Sequence, residues 1–371
     1  MSWRQFFGNR PLIILGAAES VSAIGNWISM MAVFAMIVFR GEGTVTQSSG
    51  IFLAGLLPIL LFSPAAGWLV DRYDRRRLML VSELLSGAVI AGLIVVSNVW
   101  LIYLILALQA VSVSIMLPAR QAAVPDIVAA ADLARANAFL QQLAGIIKIG
   151  APMLAGAILT ILTPQQAVIL DVISFLLSAL ILTRLPALPP ASSPNRLVIP
   201  RMSAEPALDP PDPAPIPSPL AVLTGSLRLR LLFTMIFLGI FVIVGFDVLA
   251  PVFIRDILHG DEGLFGLLIG LVGLGTVVAA GGLLLSKTTS RPWRDLVAGM
   301  VLLSCIPLAM AAVVAIGDQT LALTLVAAGC FAGGIGNGLL VVQMSTLLQQ
   351  LSPPAVLGRI GGLFQSVTTA G

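Results

Sequence analysis

The chain has 371 residues, 58% of them hydrophobic and 10% charged, with a mean hydropathy of +1.03. Soluble domains carry roughly 45–50% apolar and about 25% charged residues, so a water-soluble domain is excluded, and at about 20 apolar residues per span there is room for ten or more transmembrane helices. A peripheral anchor or a single-span receptor is excluded with it. The net charge of +3 and isoelectric point near 9.3 invite a nucleic-acid reading, but the cations cluster between apolar runs, where topology explains them, and no nucleic-acid partner is expected.

Apolar runs between charged or Pro/Gly breaks predict spans at 11–39, 48–70, 77–97, 99–119, 138–162 and 165–184. The first follows Arg4 and Arg10 as a secretory leader would, but Glu19 interrupts it and hydrophobicity continues to Phe39, so it reads as a span. After the sixth, 12 of the chain's 24 prolines fall between Pro186 and Pro219, a composition that forms neither helix nor sheet and predicts an extended tether. A second set of spans follows at 230–254, 264–285, 294–316 and 320–347, and an eleventh starts near Gly358 and reaches Gly371. The organisation is therefore a six-helix bundle over 1–185, a cytoplasmic linker over 186–227 and a second bundle over 228–371.

Orientation follows from the cations. With the N-terminus inside, 17 of the 20 Lys and Arg residues, Arg120 among them, fall on inner segments. Arg40 and Arg255 fall outside and Lys148 within a span, an asymmetry that fixes the topology. Cys305 and Cys330 lie in apolar runs without metal or redox spacing, and His259 is the only histidine. No metal, cofactor or triad chemistry is expected.

The two halves echo each other at matching positions: Ala65 to Arg72 ends the second span as Ala280 to Lys287 ends the eighth, and Ala134-Arg135 with Gln141 parallels Gly358-Arg359 with Gln365. Internal repeats of this kind mark secondary transporters whose halves rock around a midplane site. At the end of the second span, Gly67-Trp68-Leu69-Val70-Asp71-Arg72-Tyr73-Asp74-Arg75-Arg76-Arg77 resembles the signature loop of the major facilitator superfamily, Gly-x-x-x-Asp-Arg/Lys-x-Gly-Arg-Arg/Lys, with Asp74 in place of the second glycine. Aspartate tolerates a left-handed turn better than most residues, so the loop is expected to form. Gly67 is read as allowing close helix approach, Asp71 as facing a helix N-terminus, and Arg72, Arg75 and Arg76 as holding the loop at the inner surface.

The resemblance implies an all-α membrane protein of two pseudo-symmetric six-helix bundles, here with helix 12 and part of helix 11 missing, and a latch between Asp71 and the helix starting near Gly358. The second-half copy, with Ser286 and Lys287, lacks the acid. Gly145, Gly150, Pro152 and Gly156 are similar to the Gly/Pro-rich helix-five pattern of the superfamily's antiporters. The nearest likeness is to its exporters of siderophores, macrolides and related drugs, a group that includes lysophospholipid carriers. Proton-coupled export of amphipathic small molecules is the implied function, with lysolipid uptake or flipping as the alternative. The implied location is the inner cell membrane, multi-pass and monomeric.

Several polar residues lie inside the membrane. Glu19 is about 12 Å past Pro11 at 1.5 Å per residue, with Ser22, Asn26 and Ser29 on its face. Lys148 is near the middle of the fifth span and Asp247 about 12 Å from the outer end of the seventh. An ionised group at mid-membrane costs about 2.5–3.5 kcal/mol, so these three should face a cavity, pair or be protonated. Glu19 and Asp247 are expected as proton- or cation-binding acids, with Lys148 as counter-ion or anion contact. Gln109, Ser112 and Met116, and Asn337, Val341 and Met344, follow helical spacing and are cavity candidates. Glu83 and Asp171, nearer the ends of helices three and six, are read as structural ion pairs or snorkelled groups. Gly281 to Thr288 imitates a phosphate loop but lacks its second glycine and a preceding strand, and no HExxH or GxSxG motif is present, so an enzyme is not expected.

Overall fold

A computed structural model describes residues 9–41, 43–129, 132–189, 226–285 and 291–351. These residues are helical throughout, without a strand, and contain ten helical segments long and apolar enough to cross a membrane. The helices are α1 (Arg10–Phe34), α2 (Val45–Arg72), α3 (Arg75–Ile90), α4 (Val99–Ile127), α5 (Leu133–Leu159) and α6 (Pro164–Leu182), then α7 (Leu227–Asp256), α8 (Glu262–Leu285), α9 (Pro292–Leu303), α10 (Cys305–Val313) and α11 (Gln319–Leu351). Short helical turns, Ala35–Phe39 and Ala91–Ile94, extend α1 and α3, while α9 and α10 share one span interrupted at Ser304. The tether prolines from Pro190 onward, the second-half copy at Ser286 and Lys287, and the eleventh span near Gly358 lie outside the described residues.

Each span expected within the described residues has its helix, and the starts are set by capping residues the sequence displays. The Asn9 side chain accepts from Leu12 N, Asn98 from Trp100 N, Asp261 from Leu264 N and Asp318 from Leu321 N. Thr44 with Gln47 and Thr163 with Gln166 form capping boxes for α2 and α6. These bonds satisfy the backbone donors that a helix leaves open at its first turn. The largest departure is at α4, which runs to Ile127 rather than ending at 119, carrying Pro118 and Pro125 within it. His259 adopts a left-handed backbone conformation, φ 50°, in the turn after α7, a local role for the lone histidine.

The chain packs as two compact units: Met1–Arg201 with Gly260–Leu267, and Met202–His259 with Leu268–Gly371. In the first unit α1 packs on α5 and α6, α4 on α2 and α3, and α3 on α6. At one end of these helices Leu12, Met79, Val124, Leu140 and Leu182 belong to one core. Leu53, Leu57 and Leu61 on α2 and Ile173, Leu176 and Leu180 on α6 stay exposed, as lipid-facing residues must. The opening of α8 belongs with this unit: Arg40 pairs with Glu262 at 2.8 Å, and a Cβ on Gly156 would meet Glu262 O at 3.1 Å. Pro152 and Gly156 of the helix-five pattern thus mark a close backbone contact, whereas Gly145 and Gly150 have open space.

In the second unit α11 packs on α7, α9 and α10. Its glycines fall four apart in two series. A Cβ on Gly329 or Gly333 would press on Ala309 or Ile306, and one on Gly334 or Gly338 would overlap the backbone of Val272 or Thr276 in α8. Lipid supplies little hydrophobic drive between helices, so close backbone approach through small residues is what holds them. Gly334→Ala is therefore expected to destabilise the fold by about 1–3 kcal/mol, the usual cost of overpacking, read as a lower melting temperature in detergent.

Candidate functional site

The polar stripe of α1 meets α4 at two levels. Glu19 forms a salt bridge with Arg120, and seven residues further, about 10 Å along α1, Asn26 accepts a 3.0 Å hydrogen bond from Gln109 Nε2. The antiparallel run of α4 brings Gln109 and Arg120, three turns apart on one face, against residues two turns apart on α1. Both side chains of the ion pair are partly exposed, 27% for Glu19 and 19% for Arg120, so the pair borders open space rather than sealed core. Gln109 thus meets Asn26, while Glu19, on the same stripe of α1, meets Arg120. Arg120, counted from the sequence among the inner-segment cations, lies on α4 and pairs with Glu19. With α4 extending to Ile127, the arginine lies seven residues from the helix end, and it, not Lys148, is the counter-ion of Glu19. The signal was present in Gln121 to Val128, where apolar residues continue at helical spacing past Pro118.

The loop between α2 and α3 is built on Asp74. Its backbone is extended, φ −61° and ψ 123°, not left-handed. The aspartate replaces the motif's glycine because its carboxylate is used: Oδ1 accepts from Arg77 N at 2.9 Å, capping α3, and Oδ2 accepts from Leu188 N at 2.7 Å, fixing the segment after α6. Arg75 is 4% exposed, pairs with Asp126 at 3.3 Å and donates to Pro189 O. Arg76 donates to Thr183 O. Arg72 instead lies 4.4 Å above the exposed Trp68 ring. The arginines therefore divide the work: two tie α3 to α4 and to the end of α6, and one stacks at the surface. A Cβ on Gly67 would meet nothing within 4 Å, so the close approach expected there is absent among the described residues. Asp71 is exposed, and its expected partner near Gly358 lies outside them.

Lys148 is exposed on α5 and has no ion-pair partner among the described residues, and Asp247 is half-buried on α7. Asn337 Nδ2 donates to Thr276 Oγ1 at 3.2 Å, joining α11 to α8. Ser112 of the α4 stripe is buried, with its carbonyl accepting from Ser82 Oγ at 2.7 Å. Met344 is buried while Val341 is exposed. Those stripes are thus largely packing faces. A recess of about 170 Å³ in the second unit, lined by Phe241, Phe246, Leu249, Ile306 and Met310, is smaller than the roughly 300–1,000 Å³ of small-molecule pockets and does not qualify as a substrate site. Glu83 and Asp171 are buried at 3% and 0% exposure. Neither pairs with a basic residue among the described ones, which corrects their reading as ion pairs or snorkelled groups.

Glu19 and Arg120 lie on two helices long and apolar enough to cross a membrane. The MFS-type transporter YfiS of Bacillus subtilis is 25% identical over 368 residues, covering 98% of this chain and 84% of YfiS. Macrolide efflux protein A of Streptococcus pyogenes is 27% identical over 169 residues, 44% of this chain and 42% of that protein. The crystal structure of the nucleoside transporter NupG superposes with a TM-score of 0.72 at 11% identity, covering 97% of this chain and 87% of NupG, a likeness of fold. The family model of the Major Facilitator Superfamily matches residues 7–371, and with the helix plan and the loop motif in place the chain belongs to that superfamily, as a multi-pass membrane transporter of small molecules and not an enzyme.

Proposed function

We propose that the protein exports amphipathic small molecules of the drug, macrolide or siderophore type by alternating access, driven by protons. In this reading it works as a monomer in the inner cell membrane with its N-terminus in the cytoplasm. The observation that carries the reading is the Glu19–Arg120 pair, with Asn26 and Gln109 beside it, held between α1 and α4 and partly exposed. A carboxylate at this depth is tolerated because an arginine balances it. When the acid takes a proton the arginine is released to another partner, so proton binding and local conformation are linked. Asp247 is the second loading acid, Lys148 contacts an anionic group of the cargo, and Asn337 lines its path. Similarity to macrolide efflux protein A over 169 residues supports an export substrate of that class. The latch of Gly67, Asp71 and Arg72 against the span expected to start near Gly358 belongs to the same proposal.

The test is proton movement driven by substrate in proteoliposomes containing a pH-sensitive dye. Addition of a macrolide should produce a proton flux in the wild type and none in Glu19→Gln or Asp247→Asn. Coupled flux surviving in both variants would remove these acids from the mechanism. A response to lysophospholipid but not to macrolide would replace the drug-export reading with lipid carriage.

A further inference from the structure

The start of α3 and the end of α6 meet at a patch of positive charge. Arg76 Nη2 donates to Thr183 O, and the next residue on each segment, Arg77 and Arg184, is exposed. None of these three arginines forms an ion pair among the described residues. The nearby acids are engaged: Asp74 holds two backbone N–H groups with its two carboxylate oxygens, and Asp126 holds Arg75. Asp71 is exposed at the end of α2, followed directly by Arg72. The patch therefore carries cations that the protein itself does not neutralise.

Away from the patch, both helices present apolar residues outward. On α3, Arg77, Val81, Leu84 and Ala88 are exposed at steps of four, three and four residues. On α6 and the turn after it, Arg184, Leu180, Leu176 and Ile173 are exposed at steps of four, four and three. Residues so spaced share one face of a helix. The helices run antiparallel: Arg76 meets Thr183, while Gly87, further along α3, meets Phe175, earlier on α6, where an added Cβ would stand 3.2 Å from Phe175 Cβ. Counted at about 100° per residue from that contact, both exposed faces turn to the same side of the pair. Each face is an apolar stripe ending in an arginine, and both stripes end where the helices meet. Trp68 and Tyr73, exposed at the end of α2, suit the membrane interface, where amphipathic rings collect.

We propose that this surface binds an anionic phospholipid, with the headgroup phosphate held by Arg77 and Arg184 and the acyl chains lying along the stripes of α3 and α6. A guanidinium matches a phosphate with two parallel N–H···O bonds, and Arg76 between them adds a third positive charge. The stripes select a lipid over a soluble anion, because apolar surface continues directly from the arginines. Charge selects an anionic headgroup over a zwitterionic one, whose own cation the patch repels. The bound lipid bridges the ends of α3 and α6 beside the α2–α3 loop and so strengthens that end of the first unit.

The test uses the full chain, purified in detergent and stripped of lipid. Phosphatidylglycerol or phosphatidylcholine with the same acyl chains is added, and bound lipid is read by native mass spectrometry. The wild type should hold a phosphatidylglycerol at least about tenfold more tightly than phosphatidylcholine, the weight of two basic residues beside an anionic charge. Arg77→Gln and Arg184→Gln, both at exposed positions and expected to fold, should each weaken it roughly fivefold. The double variant Arg228→Gln/Arg230→Gln, which removes two exposed cations at the start of α7, should leave it unchanged. Equal affinity for the two lipids, or an equal loss in the α7 variant, overturns the site. Release of phosphatidylglycerol by inorganic phosphate, but not by chloride at matched ionic strength, overturns the lipid assignment in favour of a soluble anion. The readout is binding and not transport, so failure here and failure of proton coupling are distinguishable.

Discussion

Arg75→Ala is expected to destabilise the protein by about 3–5 kcal/mol, the cost of removing one partner of a buried ion pair. The arginine is 4% exposed and its partner Asp126 14%, so the change removes a cation from beside a nearly buried carboxylate. The same change removes the bond to Pro189 O, one of the ties between α3 and the segment following α6. Arg72→Ala, directly after Asp71 of the same motif, is expected to cost under about 1 kcal/mol, because an exposed cation over an aromatic ring is worth little more. Thermal unfolding of the two variants side by side measures the contrast. Similar losses for both would mean that the arginines act as interchangeable surface charges, as a generic inner loop would have them.

The second large effect belongs to the pair between α1 and α4. Arg120→Gln strands Glu19 in the span, and Glu19→Gln strands Arg120, so each single variant is expected to lose stability on the order of 3 kcal/mol, the lower part of the buried-pair range because both side chains are partly exposed. The double variant should recover part of that loss, since two amides leave no charge uncompensated. Transport separates differently. Glu19→Gln should still exchange substrate down its own gradient, yet fail to accumulate it when a pH gradient is imposed. A double-mutant cycle in melting temperature, paired with accumulation assays, reads both quantities. Additive losses with no recovery would mean the two residues do not interact in the membrane.

The helix plan was open to reading because span length and cap chemistry are local properties. Long, mostly apolar stretches after Asn9, Asn98 or Thr163 admit little else, and every span expected within the described residues has a helix. The site was only half open. Glu19, Asn26 and Gln109 declare their faces by spacing, but Arg120 stands just past the apolar run that bounds the expected span at 119, whereas α4 continues through Pro118 and Pro125 to Ile127; a proline inside a membrane helix is tolerated when its neighbours satisfy the freed backbone. Asp74 was misread for a different reason. The glycine it replaces suggests a backbone role, whereas the aspartate uses an extended backbone and two carboxylate bonds, one of them to Leu188, more than a hundred residues away. Glu83 and Asp171 could not be assigned without the fold, because what buries them is the packing of α3 and α6 on each other and of α6 on α1. Pairwise helix contacts of this kind leave no periodic signature in either helix alone.

The most direct measurement of the central claim is accumulation of a labelled macrolide in inverted vesicles containing the protein, under an imposed gradient with an acidic interior. If the protein exchanges protons for cargo through Glu19, wild-type vesicles concentrate the compound, an uncoupler abolishes the accumulation, and Glu19→Gln vesicles equilibrate without concentrating it. Accumulation that ignores the gradient and the uncoupler, or that persists unchanged in Glu19→Gln, would contradict the account.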